Sequence, residues 1–236
     1  MVEVVVLAGG KGTRLAPYTT VFPKPLMPIG DMPVLEILLR RLAGSGFSRV
    51  HLAVGHLAEL IEAYFGDGSR FGVELKYWRE DVPLGTAGPL ATIETSAEHL
   101  LVMNGDLFTA LDFAELLEAH AQSEASATIA VLRREIPIEF GVVQVESRRI
   151  VAFDEKPTLS YDVSMGVYVF DRGVIDLIER GRPLDFPVLL ERLLVRGDRV
   201  DAFRTDCFWL DIGRPEDYAL AIERYDELGP ELLGGS

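Results

Sequence analysis

The sequence predicts an α/β fold with a mixed, mostly parallel sheet flanked by helices and an added antiparallel region. Up to Asp106, short apolar runs alternate with helical patterns, as expected for parallel strands joined by crossover helices. In the second half, the segments TIAVLRR, FGVVQVE and RIVAFDEKP follow one another with no helical pattern between them. Such spacing is typical of antiparallel strands.

The elements of the first half can be placed in order. The apolar run Val4 to Leu7 predicts a buried strand that leads through Gly9-Gly10 into a tight loop. Asp31 is then predicted to cap a helix with Pro33 in its first turn. The remaining patterns predict a strand over 49–54, a helix over 57–65, a strand over 73–78, a helix over 87–97 that Thr86 opens, and the strand LLVMNGD ending at Asp106. In such sheets ligands bind beyond the carboxyl ends of the strands.

Composition and charge bound the class of protein. The 236 residues, 48% hydrophobic and 25% charged, can form one core, so we expect a single domain over 1–228 and a flexible tail over 229–236. A net charge of −14 argues against a broad nucleic-acid interface. Cys207 is the only cysteine, and no apolar segment is long enough to span a membrane. These features predict a cytoplasmic protein with no membrane or nucleic-acid partner.

A glycine-rich loop with basic side chains follows the first strand. The segment from Val4 to Gly30 carries three basic residues and no acidic one. It contains neither the G-x-x-x-x-G-K-[ST] nor the G-x-G-x-x-G phosphate motif. Its glycine N–H groups can still approach a phosphate, with Arg14 as a bidentate donor and Lys24 as a point charge. The alternative is a surface turn with solvated cations.

Two aspartates follow predicted strands. Asp106 ends the NGD segment and Asp211 ends CFWLD, so both carboxylates can face one crevice. Carboxylates and substrate phosphates are the usual ligands of Mg²⁺, which makes this pair the candidate metal site. The alternative for each is a turn former or helix cap. The four histidines show no paired metal spacing and are assigned no role.

The glycine loop resembles that of the sugar-1-phosphate nucleotidylyltransferases, whose pattern is roughly G-G-x-G-T-R-L-x-P-x-T-x-x-x-P-K-P-L. The match runs from Gly9 to Leu26 and implies the Rossmann-like fold of nucleotide-diphospho-sugar transferases. It also implies Arg14, Lys24 and Asp106 as catalytic residues, with Lys24 steadying charge near the α-phosphate, and Asp106 and Asp211 as the metal pair. The implied nucleotide-binding residues are Leu7, Ala8, Gly9, Gly10, Gly12, Thr13, Arg14, Glu80, Gly85 and Thr86.

Glu80 stands where the family places its base-reading side chain. Thymidylyl members carry a Gln there, whereas an ionised Glu only accepts hydrogen bonds. Guanine presents two adjacent donors, so GTP is the expected nucleotide, in resemblance to mannose-1-phosphate and heptose-1-phosphate guanylyltransferases. The alternative for Glu80 is a solvated acid in a loop.

The resemblance also implies a sugar-phosphate site. Glu155-Lys156 matches the E-K-P segment of the family, while Gly141 and Gly166 match segments that close over the sugar. Ser164-Met165 replaces an expected N-A before Gly166, which puts the acceptor in question. Alternatives are UTP- or CTP-dependent transfer to a cyclitol phosphate or phosphocholine, or a non-catalytic nucleotide-sugar sensor. We expect no C-terminal β-helix domain, and a monomer or homodimer.

Overall fold

A computed structural model describes residues 2–232 of the chain. Its strands are β1 (Val2–Ala8), β2 (Pro28–Ile29), β3 (Met32–Pro33), β4 (Arg49–Val54), β5 (Glu74–Arg79), β6 (His99–Asn104), β7 (Leu107–Thr109), β8 (Ala127–Pro137), β9 (Gly141–Glu146), β10 (Arg149–Glu155), β11 (Thr158–Asp171), β12 (Val200–Thr205) and β13 (Trp209–Asp211). Its α-helices are α1 (Val34–Gly44), α2 (Ala58–Phe65), α3 (Phe113–Ala121), α4 (Arg172–Ile175), α5 (Phe186–Arg196) and α6 (Pro215–Leu232). Short 3₁₀ helices span Thr13–Leu15, Tyr18–Thr20, Lys24–Leu26, Ser69–Phe71 and Gly88–Thr92.

Seven strands form the central sheet in the order β12-β8-β11-β6-β1-β4-β5. Strands β6, β1, β4 and β5 are parallel to one another, and β12 is parallel to β8. Strand β11 runs antiparallel between β6 and β8. This arrangement confirms the predicted mixed, mostly parallel sheet, and it brings the carboxyl ends of β1, β4, β5 and β6 to one edge.

Both faces of the sheet are buried, as a parallel sheet requires. Val4 and Val6 of β1 pack on one face with the apolar residues of α1, α2 and α3. Val5 points the other way, because side chains alternate along a strand, and packs with α5. The near-continuous apolar runs of these strands therefore reflect burial on two sides.

Three two-stranded sheets complete the fold, pairing β9 with β10, β7 with β13 and β2 with β3. In the antiparallel pair β7–β13, Asp211 lies opposite Leu107, the residue that follows Asp106. The antiparallel β9–β10 hairpin is exposed on most of its surface. The predicted antiparallel region is thus present, divided between this hairpin and the β8–β11 pair.

Two predictions about helices are wrong, the cap of α1 and the helix over 87–97. Helix α1 begins at Val34 without a side-chain cap, because the Asp31 carboxylate accepts a hydrogen bond from the Tyr225 hydroxyl (2.9 Å) instead. The helix predicted over 87–97 is only the 3₁₀ turn Gly88–Thr92. The backbone N–H groups of Ala87 and Gly88 both donate to the Leu184 carbonyl, so this segment is anchored to a distant loop.

The predicted tail begins too early. Helix α6 continues to Leu232, which is buried in the same cluster as Phe108. Leu228 lies one turn earlier and packs against this cluster, so apolar burial extends the helix past 229. The last part of the predicted tail, 233–236, lies outside the described residues.

Candidate active site

A cleft of about 700 Å³ opens at the carboxyl ends of the parallel strands, where the fold predicts a ligand. The loops after β1, β4, β5 and β6 form its walls. All ten residues predicted to bind the nucleotide line it, as do Lys24 and Asp106. Its other lining residues include Lys11, His56 and Asn104, which the sequence analysis did not single out.

The glycine loop is held in shape by backbone geometry. Gly12 has a φ of 60°, in the left-handed region, and a β-carbon there would lie 2.9 Å from the Thr19 methyl carbon. The Gly12 carbonyl accepts hydrogen bonds from Thr19 Oγ1 (2.8 Å) and from the Leu15 N–H (2.9 Å). The loop is therefore closed on itself, with the side chains of Lys11 and Arg14 exposed.

Glu80 is fixed at the wall of the cleft rather than extended into solvent. Its backbone N–H donates to the Val54 carbonyl (2.9 Å), and its Oε2 atom accepts the Leu84 N–H (2.9 Å). The Oε1 atom faces Gly9, where a β-carbon would lie only 2.5 Å away. Burial raises the pKa of Glu80, and the hydrogen bond from Leu84 partly opposes this. Within the described part of the chain the Oε1 atom accepts no hydrogen bond, so this half-buried carboxylate is suited to accept hydrogen bonds from a base.

The loop that follows Glu80 is anchored by residues that sequence reasoning missed. Gly85 has a φ of 75°, and a β-carbon there would lie 2.6 Å from the Leu184 carbonyl oxygen. The Thr86 N–H donates to Asp185 Oδ1 (3.0 Å), and Thr86 Oγ1 accepts the Phe186 N–H (2.9 Å). No local motif marks Leu184 and Asp185, because they contact a loop that lies nearly a hundred residues earlier in the chain.

Asp106, Asp211 and Lys24 converge at the edge of the cleft. The β7–β13 pairing brings the two aspartates together, and the Ile212 N–H donates to the Asp106 carbonyl (3.2 Å). The Lys24 ammonium contacts Asp106 Oδ2 and lies 3.4 Å from Asp211 Oδ1. Sequence reasoning assigned this ammonium to the phosphates, whereas the structure places it on the carboxylates.

The electrostatics of this cluster favour a cation. Burial raises the pKa of Asp211, and repulsion from Asp106 adds to that effect, while Lys24 opposes it. The position of a β-carbon on Gly213 lies 3.4 Å from both Asp211 Oδ1 and Arg14 Nη2. The Arg14 guanidinium and the Asp211 carboxylate therefore both lie next to Gly213. A cation next to Asp211 would favour the ionised form of its carboxyl group.

The residues predicted to bind the sugar phosphate are not brought together in the same way. Gly141 pairs with Glu155 across the β9–β10 hairpin, and Lys156 follows with a φ of 50°. These three residues are exposed and do not line the cleft. Gly166 is buried, and a β-carbon there would lie 2.6 Å from Asn104 Nδ2. Gly166 therefore adjoins the cleft through Asn104, a residue that the NGD motif could have identified.

Over the described residues, no helix is both long and apolar enough to cross a bilayer.

Known proteins resemble this chain over most of its length. A mannose-1-phosphate guanylyltransferase of Mycobacterium tuberculosis is 39% identical over 92% of the chain, and a UTP–glucose-1-phosphate uridylyltransferase of Synechocystis is 36% identical over 93%. The chain spans 62% of the length of each of these relatives. A crystal structure of HddC from Yersinia pseudotuberculosis complexed with GMP-PN is 26% identical, with a TM-score of 0.75 over 95% of this chain and all of that one.

The family model described as "Nucleotidyl transferase" matches residues 3–227, which include the glycine loop, both aspartates and every strand of the central sheet but the first residue of β1. On that match the chain belongs to the nucleotidyl transferase family.

Proposed function

We propose that this protein transfers the nucleotidyl group of a nucleoside triphosphate, preferably GTP, to a sugar 1-phosphate of the mannose or heptose type. The observation that carries the proposal is the convergence of Lys24, Asp106 and Asp211 at the mouth of a glycine-lined cleft. An oxygen of the sugar phosphate attacks the α-phosphorus and forms a new P–O bond. The bond between the α-phosphorus and its bridging oxygen to the β-phosphorus breaks, and pyrophosphate leaves.

The residues of the cleft fit this reaction by position and charge. The backbone N–H groups of the glycine loop and the Arg14 guanidinium can bind the triphosphate, and Lys24 can offset charge that develops at the α-phosphate. A phosphate monoester is already anionic near pH 7, so the attack needs no strong general base. Catalysis then rests on orientation and electrostatic stabilisation by the residues of the cleft.

Asp106 and Asp211 fit a divalent cation. Both offer hard oxygen ligands at one edge of the cleft, and the Lys24 ammonium between them marks a point where positive charge is favoured. Mg²⁺ is the proposed ion, because it is commonly held by one or two carboxylates together with substrate phosphates. When bound, it would neutralise phosphate charge and orient the triphosphate.

The proposed preference for GTP rests on Glu80. Its free Oε1 atom can accept from the adjacent N1–H and N2–H₂ donors of guanine, whereas uracil and thymine present one donor flanked by acceptors. A guanylyltransferase relative and a structural neighbour complexed with GMP-PN support this choice. The uridylyltransferase relative makes UTP the main competitor.

The remaining assignments concern the acceptor and the setting of the protein. Glu155 and Lys156 on the β9–β10 hairpin, with Gly141 and Gly166, are the proposed sugar-phosphate residues. The hairpin is exposed on most of its surface, so these residues are accessible to an acceptor. We further propose a single catalytic domain that includes α6, working in the cytoplasm as a monomer or homodimer.

The direct test is pyrophosphate release from GTP, UTP, dTTP, ATP and CTP with mannose, glucose and heptose 1-phosphates in the presence of Mg²⁺. We expect release with GTP when the acceptor is mannose 1-phosphate or heptose 1-phosphate. Release only with another nucleotide would overturn the Glu80 argument and keep the reaction class. No release with any pair would contradict the proposed reaction. GTP binding should be measured alongside, because binding without release would indicate a non-catalytic sensor.

A further inference from the structure

A second cluster of potential metal ligands lies outside the cleft. His99 is the first residue of β6, Asp171 is the last residue of β11, and His120 lies in the final turn of α3. One ligand atom from each of the three side chains lies within 4.8 Å of the others. His99 Nδ1 is 2.8 Å and His120 Nε2 is 3.2 Å from the same oxygen, Asp171 Oδ1.

This cluster is remote from the proposed catalytic metal site. His99 begins β6 and Asn104 ends it, and a strand of this length spans roughly 17 Å. Asp106 and the cleft follow the carboxyl end of β6, so the histidines lie at the opposite edge of the sheet. Any ion bound there would not touch the triphosphate.

The buried histidine has the partner expected of a metal ligand. His120 is 2% exposed, and its Nδ1 atom lies 2.8 Å from Oγ1 of Thr128, which is also buried. If His120 Nδ1 donates a hydrogen bond to Thr128, the Nε2 atom carries no proton and its lone pair faces the Asp171 carboxylate. A cation between the nitrogen and the carboxylate oxygen would relieve the repulsion of their lone pairs. A ligating histidine commonly uses its other ring nitrogen in just such a hydrogen bond, which fixes the ring orientation.

The other two ligands remain open to solvent. The His99 side chain is 34% exposed and that of Asp171 is 41% exposed. An ion can therefore enter from the surface, and water can complete its coordination. Two imidazoles and one carboxylate suit Zn²⁺ in tetrahedral geometry, whereas Mg²⁺ prefers oxygen ligands alone.

We propose that His99, His120 and Asp171 bind Zn²⁺, which joins the end of α3 to the neighbouring central strands β6 and β11. The competing account is a hydrogen-bonded network without metal, in which His120 Nε2–H and His99 Nδ1–H both donate to Asp171. The two accounts differ in whether the protein takes up Zn²⁺ at this edge.

The test measures Zn²⁺ binding by the full chain in a background carrying Asp106→Asn and Asp211→Asn, so that the catalytic carboxylates do not contribute. We expect one Zn²⁺ per chain at micromolar concentrations, and a Co²⁺ complex with the visible absorption of a tetrahedral site. His99→Ala should weaken binding at least about tenfold, and since its side chain is partly exposed the fold should survive. His56→Ala, a histidine of the cleft, is the matched control and should leave binding unchanged.

Asp171→Ala is the second ligand variant and should weaken binding similarly. The proposal is overturned if the background protein takes up no Zn²⁺, or if both ligand variants bind it as tightly as the control does. Because the readout is metal uptake and not turnover, it is independent of the proposed nucleotidyl transfer.

Discussion

The Oε1 atom of Glu80 faces the α-carbon of Gly9 so closely that a β-carbon on Gly9 would lie 2.5 Å from it. Gly9 follows β1 and Glu80 follows β5, so this contact ties the glycine loop to the proposed base-reading carboxylate. Absence of a side chain at Gly9 is therefore a condition for the position of Glu80.

Gly9→Ala should weaken nucleotide binding. The methyl group must displace the Glu80 carboxylate or the loop, and we expect the dissociation constant for GTP, measured by calorimetry, to rise at least about tenfold, or 1.4 kcal/mol. Gly44→Ala is the control, because a β-carbon there meets nothing within 4 Å. Equal GTP affinity in the two variants would contradict the proposed contact.

Glu80→Gln should reduce the preference for GTP. An amide places a donor against one of the guanine donors, so the ratio of kcat/KM for GTP to that for UTP should fall roughly tenfold. Glu59→Gln, an exposed acid on α2, should leave the ratio unchanged. Burial raises the pKa of Glu80, so its carboxylate becomes protonated at a higher pH than that of an ordinary glutamate. The GTP affinity of the unsubstituted protein should begin to fall at that higher pH on acidification. A ratio unaffected by Glu80→Gln would remove Glu80 from base recognition.

Asp211→Asn should slow turnover strongly without destabilising the fold. Loss of the proposed metal ligand should reduce pyrophosphate release by about 100-fold or more. The folded-state pKa of Asp211 is raised, so its contribution to stability is lost as the pH rises through that pKa. In EDTA at pH 7, the melting temperature of the variant should therefore equal or exceed that of the unsubstituted protein. At pH 4 the difference between the two melting temperatures should be smaller.

Asp206→Asn, an exposed residue just before β13, is the control for both readouts. Normal turnover by Asp211→Asn would exclude Asp211 as a metal ligand.

Lys156→Ala should separate acceptor binding from nucleotide binding. If the ammonium binds the sugar phosphate, KM for the sugar 1-phosphate should rise about tenfold while KM for GTP changes little. Lys156→Gly should have the same kinetic effect with a slightly higher melting temperature, because a φ of 50° is unfavourable for a residue other than glycine. Arg149→Ala, at the start of β10, should change neither KM. A parallel rise in both constants for Lys156→Ala would argue against an acceptor-specific role.

Glu3→Gln should destabilise the protein in a pH-dependent way. The buried Glu3 carboxylate accepts hydrogen bonds from Arg49 (2.7 Å) and His51 (2.9 Å) and from the Thr95 hydroxyl. Burial alone would raise its pKa, but these hydrogen bonds outweigh that effect and lower the pKa from 4.5 to about 2. The difference corresponds to roughly 3 kcal/mol of folding free energy at pH 7.

This stabilisation is present above pH 4.5 and is lost as the pH falls through 2. Urea unfolding should thus show a constant cost of Glu3→Gln from pH 5 to 7 and a smaller one at pH 3. Glu74→Gln is the control, since Glu74 pairs with the same Arg49 on the surface (3.7 Å) and should cost less than about 1 kcal/mol. A cost of Glu3→Gln no larger than that of the control would contradict this account.

The glycine loop and the parallel strands were predictable from the sequence because their signals are local. The run from Val4 to Gly12 specifies a buried strand, a tight turn and a backbone open to phosphate within a few residues. The four predicted parallel strands are confirmed, and all ten predicted nucleotide residues line one cleft. Because parallel strands end at one edge of a sheet, the residues that follow these strands are brought together at that edge.

Tertiary structure decided what depends on contacts between distant segments. The β7–β13 pairing brings Asp211 to Asp106 and sets Lys24 between them, and anchoring on Leu184 holds the segment after Gly85 out of an α-helix. Packing of Leu232 extends α6 beyond the predicted domain end, and β-pairing brings His99 to Asp171. None of these contacts has a local sequence signal, because the free energy that favours them comes from burial and pairing partners remote in the chain.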